Sequence, residues 1–130
     1  MKLLLDTHIW LWALLEPHRL APAVRDALQA PEAELWLSPI SVWEATLLAE
    51  RGRLRVESEV SEWVRRMINA MPSREATLTH EISMASRALT LSHEDPADRF
   101  LAATAIVMDL TLVTADARLI GSTEFAVMAN

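Results

Sequence analysis

Asp6, Glu44 and Asp116 each come soon after a short apolar run (Leu3–Leu5, Glu34–Leu37 and Leu110–Thr114). Asp98 lies in the first turn of a segment opened by Asp95-Pro96. Each acid has a plain structural use. Asp6 and Asp116 can cap the segments that follow them, Asp98 suits the positive end of a helix dipole, and Glu44 fits a capping box with Ser41. Ser38-Pro39 is the stronger helix start, and it leaves Glu44 two turns in, where no cap is needed. Taken together the acids suggest more. If the runs are strands of a parallel sheet, their C-terminal ends share one edge, where open α/β sheets place ligands. Converging carboxylates repel unless a cation holds them, and hard oxygen ligands suit Mg2+ or Mn2+. Such ions activate water and stabilise the charge on an attacked phosphodiester; a two-metal site spaces them about 3.5–4 Å apart. The chemistry suggested is metal-dependent phosphodiester hydrolysis.

The elements that must deliver these acids alternate between strand and helix. Leu3-Leu4-Leu5 reads as a strand buried on both faces. Thr7–Leu15 follows as a helix apolar nearly all round, broken by Glu16-Pro17-His18. A second helix is expected from Ala21-Pro22 to a stop at Pro31, then strand Glu34–Leu37, then helix Ile40–Arg51 ended by Gly52. Ser58–Met71 is amphipathic and closed by Pro72, Ala76–Thr79 reads as a short third strand, and His80–Leu91 as a helix. The Asp95-Pro96 helix runs through Met108, followed by strand Leu110–Thr114, a helical turn at Ala115–Ile120 and a last strand at Glu124–Met128. The alternation predicts an α/β layer fold around a mainly parallel sheet, in one domain over residues 1–130.

Composition removes several rivals. Two glycines leave no phosphate-cradling loop, and the absence of cysteine excludes disulfides, thiolate metal sites and cysteine nucleophiles. No His-x-His or His-Glu-x-x-His pair suggests zinc. The net charge of −6 argues against broad, nonspecific nucleic-acid binding, although 11 of the 12 bases are Arg, the better phosphate ligand. A hydrophobic fraction of 52% and a mean hydropathy of +0.17 fit a packed globule. No stretch approaches a membrane span or a signal-peptide core, so a cytoplasmic protein is expected.

Four blocks carry a resemblance: Leu5-Asp6-Thr7-His8; Leu37-Ser38-Pro39-Ile40-Ser41-Val42-Trp43-Glu44; His93 through Ala103; and Leu112-Val113-Thr114-Ala115-Asp116. In order and spacing they resemble the PIN-domain toxins of the VapC type, over essentially the whole chain. The resemblance implies a PIN-like fold, a central, mainly parallel sheet of four to five strands flanked by helices, with an acidic pocket at its C-terminal edge. It implies an Mg2+- or Mn2+-dependent endoribonuclease of RNA, a cognate antitoxin partner and a homodimer. Its catalytic quartet falls on Asp6, Glu44, Asp98 and Asp116, with Asp6, Asp98 and Asp116 as metal ligands; Thr7 and Thr114 match hydroxyl positions nearby. Asp95 is expected to cap a helix rather than bind metal. Ala97 stands where relatives often carry a bulky apolar residue and Glu94 where they often carry a base.

Other residues read more simply. His8 is expected to pack or hydrogen-bond rather than catalyse, His93 stays open, and His18 and His80 read as surface or helix-start residues. Trp10, Trp12, Trp36, Trp43 and Trp63 are expected mostly in the core, except that Trp10 and Trp12 cannot both face inward on one narrow stripe. The Arg51–Arg55 patch suits a solvated helix end or an RNA phosphate grip. A receiver-type phosphoacceptor domain would need a Lys beside the acids, and the only Lys is Lys2, at the wrong end of its strand. A PIN nuclease of RNA processing without an antitoxin, and a PIN fold kept only for binding, are the remaining alternatives.

Overall fold

The structure is a computed structural model that describes all 130 residues, Met1–Asn130. Strand β1 (Lys2–Leu5) occupies the middle of a five-stranded sheet, and Leu3, Leu4 and Leu5 are fully buried because helices cover both of its faces. Helix α1 (Thr7–Leu15) follows directly, and a 3-10 turn at Pro17–Arg19 leads to α2 (Pro22–Gln29), with Pro in its first turn. Strand β2 (Glu34–Leu37) leads into α3 (Pro39–Glu50), capped by the Ser38 hydroxyl, which accepts from Ile40 N–H at 3.1 Å. Gly52, at φ +69°, ends that helix in the left-handed region that glycine enters without a Cβ clash.

Helix α4 (Val60–Ala70), strand β3 (Arg74–Glu75), helices α5 (His80–Ala88) and α6 (Pro96–Met108), strand β4 (Thr111–Thr114), the short α7 (Ala117–Ile120) and β5 (Val127–Ala129) complete the chain. The sheet order is β3-β2-β1-β4-β5 and every pairing is parallel. Leu4 pairs with Trp36 on one side and Leu112 on the other. Alternation along β1 then divides the core. Leu3 and Leu5 pack with Ile9, Trp10, Val24, Trp63 and Val64 on one face, and Leu4 packs with Leu101, Ala102 and Leu112 on the other. The expected α/β architecture of four to five strands is therefore present, with five.

Two strands differ from expectation. The third is Arg74–Glu75 and not Ala76–Thr79, and the last is Val127–Ala129 and not Glu124–Met128. Both are sheet edges whose place follows the register of the neighbouring strand, Trp36↔Arg74 and Leu112↔Val127. Helix α5 stops at Ala88, short of Leu91: Leu89 is extended, the Thr90 N–H is taken by Glu124 at 3.0 Å, and the Ser86 carbonyl it would have paired with accepts from Arg99 Nε at 2.9 Å. Trp43 is 55% exposed, against the core placement expected from its spacing. The inward face of α3 is instead the small-residue line Ser41, Ala45 and Ala49, and Trp43 lies off that line. Trp10 and Trp63 are buried, while Trp12 and Trp36 are half-buried.

Candidate active site

The acids reach one place through two strand ends and two helices. Asp6 follows β1 and caps α1, its carboxylate accepting from Thr7 N–H at 2.7 Å. Asp116 follows β4 and caps α7, accepting from Arg118 N–H at 2.9 Å. Glu44 projects from the second turn of α3, and Asp98 from the first turn of α6, where Asp95 is the cap, accepting from Ala97 N–H at 3.0 Å. All four expected site residues line a single pocket of about 330 Å3 with Asp95 and Arg118; His8 and Trp12 form its rim. The capping uses foreseen for Asp6, Asp95 and Asp116 are thus real. For Asp6 and Asp116 the cap is also what aims the carboxylate at the sheet edge.

Hydroxyls fix the carboxylates. Thr114 donates to Asp6 Oδ2 at 2.6 Å and accepts from Asp116 N–H at 3.0 Å, so one side chain ties the ends of β1 and β4 together. Thr7 donates to Glu44 Oε1 at 2.5 Å. His93 Nε2 lies 2.9 Å from Asp98 Oδ2, which gives the residue left open by the sequence a place beside the site. His8 is exposed and tilts against Trp12, ring centroids 5.8 Å apart.

Burial pushes the Asp6 carboxyl above the ordinary range, against the lowering pull of the Thr114 hydroxyl. Burial raises Glu44 too, partly offset by Thr7. Asp98 is pushed up to about 6, by burial first and then by the like charge of Asp95. Asp116 runs the other way, held low by its hydrogen bond from Arg118.

Two residues escaped the sequence reading. Arg118 Nη2 lies 2.8 Å from Asp116 Oδ2 and 3.2 Å from Asp98 Oδ2, inside the acidic pocket. Nothing in the spacing separates this Arg from ten others; the signal was its position two residues after a capping Asp. Arg99 is buried and donates to the carbonyls of Ser86, Leu89, Leu91 and His93, which holds the segment that carries His93. Its signal was a charge next to Asp98, directly ahead of the apolar run Phe100–Ala103.

The donor set fits a hard divalent cation. It is all oxygen, it comes from separate elements, and Asp6 and Asp98 resist ionisation in a way that a bound cation would reverse. The spacing is open, because no three His, Asp or Glu side chains stand close enough to enclose an ion.

Residues 3–122 match the family described as PIN domain. The chain belongs to the PIN domain family. It is 36% identical over 117 residues to Ribonuclease VapC22 of Mycobacterium tuberculosis, covering 89% of this chain and 88% of that protein. Two solved PIN-fold structures align along nearly all of it. They are VapBC2 from Rickettsia felis bound to a promoter DNA fragment (TM-score 0.71, 18% identity, 99% of this chain and 98% of that one) and DNA-bound VapBC from Salmonella typhimurium (TM-score 0.68, 14% identity, 99% and 98%). At those identities the structures speak to the fold alone. The PIN-like fold and the VapC-type resemblance expected from the four sequence blocks are both borne out. No helix is long and apolar enough to cross a membrane.

Proposed function

We propose that this PIN domain is the endoribonuclease toxin of a toxin–antitoxin pair and hydrolyses RNA phosphodiester bonds with Mg2+ or Mn2+. The observation that carries the reading is the convergence of Asp6, Glu44, Asp98 and Asp116 on one pocket at the C-terminal edge of the sheet. The 36% identity to a protein named as a ribonuclease supports the reaction class. Asp6, Asp98 and Asp116 would hold the metal, which when bound supplies Lewis acidity toward the phosphodiester and eases deprotonation of water.

The chain's own groups do the rest. Thr114 and the Thr7 N–H keep Asp6 in one rotamer, and His93 orients Asp98. Glu44, held by Thr7 and with its carboxyl raised by burial, is suited to accept a proton from the attacking water. RNA has a path to this pocket. A neighbouring opening of about 310 Å3 shares His8 and Trp12 with it and carries Arg19 and Arg53, cations placed for phosphate oxygens. Arg19 also lies over the Trp12 ring, 4.3 Å from its centroid.

An antitoxin partner is supported by the VapBC complexes among the structural neighbours. Within the fold, an apolar groove of about 260 Å3 lined by Leu14, Leu20, Leu28, Leu35 and Met71 is the surface we assign to it. A basic antitoxin side chain reaching Asp6 or Asp98 would complete the inhibition. A homodimer, with the chain at work in the cytoplasm, belongs to the same proposal, and sedimentation of the purified chain tests the dimer.

The deciding experiment is cleavage of a mixed RNA pool with Mg2+ or Mn2+, wild type beside Asp6→Asn. Metal-dependent cleavage should fall by at least about a hundredfold in the variant, since a charge facing the reacting atoms is lost. Cleavage that survives the substitution would move the site elsewhere. An antitoxin reading frame beside the gene separates the toxin reading from a solitary RNA-processing nuclease.

A further inference from the structure

Arg118 is the one Arg or Lys among the side chains that line the acidic pocket. Its guanidinium takes Asp116 in both hands, Nε to Oδ1 at 3.1 Å and Nη2 to Oδ2 at 2.8 Å. The same Nη2 reaches Asp98 Oδ2 at 3.2 Å and Asp95 Oδ2 at 3.8 Å. A single nitrogen therefore bridges carboxylates from two elements, two of which the reading above assigns to the metal. A metal ion that replaced it would need oxygens at about 2.0–2.1 Å, so each carboxylate would have to close in by roughly 1 Å. Between Asp98 and Asp116 the guanidinium takes the intervening place, holding each at hydrogen-bond length from one nitrogen.

The side chain is free to leave. It is 54% exposed, and it hangs from the first turn of a four-residue helix. Its backbone N–H, not its guanidinium, makes the cap with Asp116, so the helix start survives its departure.

We propose that Arg118 is a tethered stand-in for the metal: it neutralises Asp98 and Asp116 while the site is empty, is displaced when the ion binds, and then grips the RNA phosphate beside the bond to be cut. The second role follows from the first. A displaced guanidinium is repelled by the ion but stays within reach of it, and its planar fork matches two phosphate oxygens. The proposal rests on the metal-nuclease reading and adds to it a residue that both delays metal binding and positions substrate.

The test is calorimetric titration of Mn2+ alone into the full chain, as wild type, Arg118→Ala and Arg118→Gln. Thermal melts of the metal-free proteins check that each folds. Removing a positive charge about 4 Å from a doubly charged ion in a solvated pocket should tighten Mn2+ binding about tenfold or more in both variants. Equal or weaker binding in the folded variants overturns the stand-in role, as does a failure of all three proteins to bind. The second role is read by cleavage of an oligoribonucleotide at saturating Mn2+. KM should rise several-fold in Arg118→Ala and partly recover in Arg118→Lys, with kcat changed less; an unaltered KM removes it. The two readings fail separately. Absence of cleavage by wild type sinks the nuclease, whereas the calorimetry alone decides whether Arg118 competes with the ion.

Discussion

Asp98 faces Asp95 and Arg118 across the pocket and His93 at its flank, and burial leaves its carboxyl titrating at about 6. Folded, it holds a proton more tightly than the unfolded chain does, so the sign of its effect is fixed. Without metal, stability is highest below the ordinary carboxylate range. It declines as pH rises from about 4 to about 6, then levels off. Asp6 and Glu44, also raised, push the same way. Asp116, lowered by Arg118, contributes the opposite slope only at more acidic pH. The metal-free protein should thus melt at a lower temperature at pH 7 than at pH 5, and Mn2+ should reverse that order. Because the ion must displace the Asp98 proton, Mn2+ affinity should fall about tenfold per pH unit below 6. A pH-independent affinity between 5 and 7 would show that Asp98 is not a ligand. The acids were legible in the sequence because carboxylates at strand-to-helix junctions have few places to point. Arg118 was not, since a side chain with four rotatable bonds can reach in many directions and residue spacing records none of them.

At the scale of elements, legibility followed burial. The central strands β1, β2 and β4 each end on buried residues and were readable as strands, whereas edge strand β3 is the dipeptide Arg74-Glu75 and edge strand β5 is three residues of which none is buried. Helix α3 misled at one residue for a related reason: it is apolar on several sides, so its pattern did not reveal that Trp43 faces outward. The segment between α5 and α6 has no regular pairing and depends on Arg99, a buried cation satisfied by four backbone carbonyls rather than by an acid. Arg99→Met keeps much of the length and loses every one of those bonds. It should cost about 3 kcal/mol or more, speed amide exchange across residues 89–95 and weaken Mn2+ binding as His93 and Asp98 loosen. Exchange confined to its wild-type rate would assign the ordering of that segment to something else.

Across the whole molecule, β1 joins the two halves of the core. Leu3 and Leu5 serve one helical layer and Leu4 the other. Leu4→Ala should lower unfolding free energy by about 2–5 kcal/mol, measured by denaturant titration, and the gap should open in the layer of Leu101, Ala102 and Leu112, where the Leu4 side chain is buried. A small effect would mean that the sheet closes up around the gap.

The pairing of β1 with β4 brings residues 3–5 beside residues 111–113, and the Thr114 hydroxyl bonded to Asp6 spans nearly the whole chain. Contacts of such separation form late. During synthesis, a nascent chain that has not yet delivered β4 leaves β1 paired on one side only, and the pocket lacks Asp116 and its Thr114 brace. A domain of this topology cannot complete its acidic pocket before residues 111–116 have been made, however early its other strands pair.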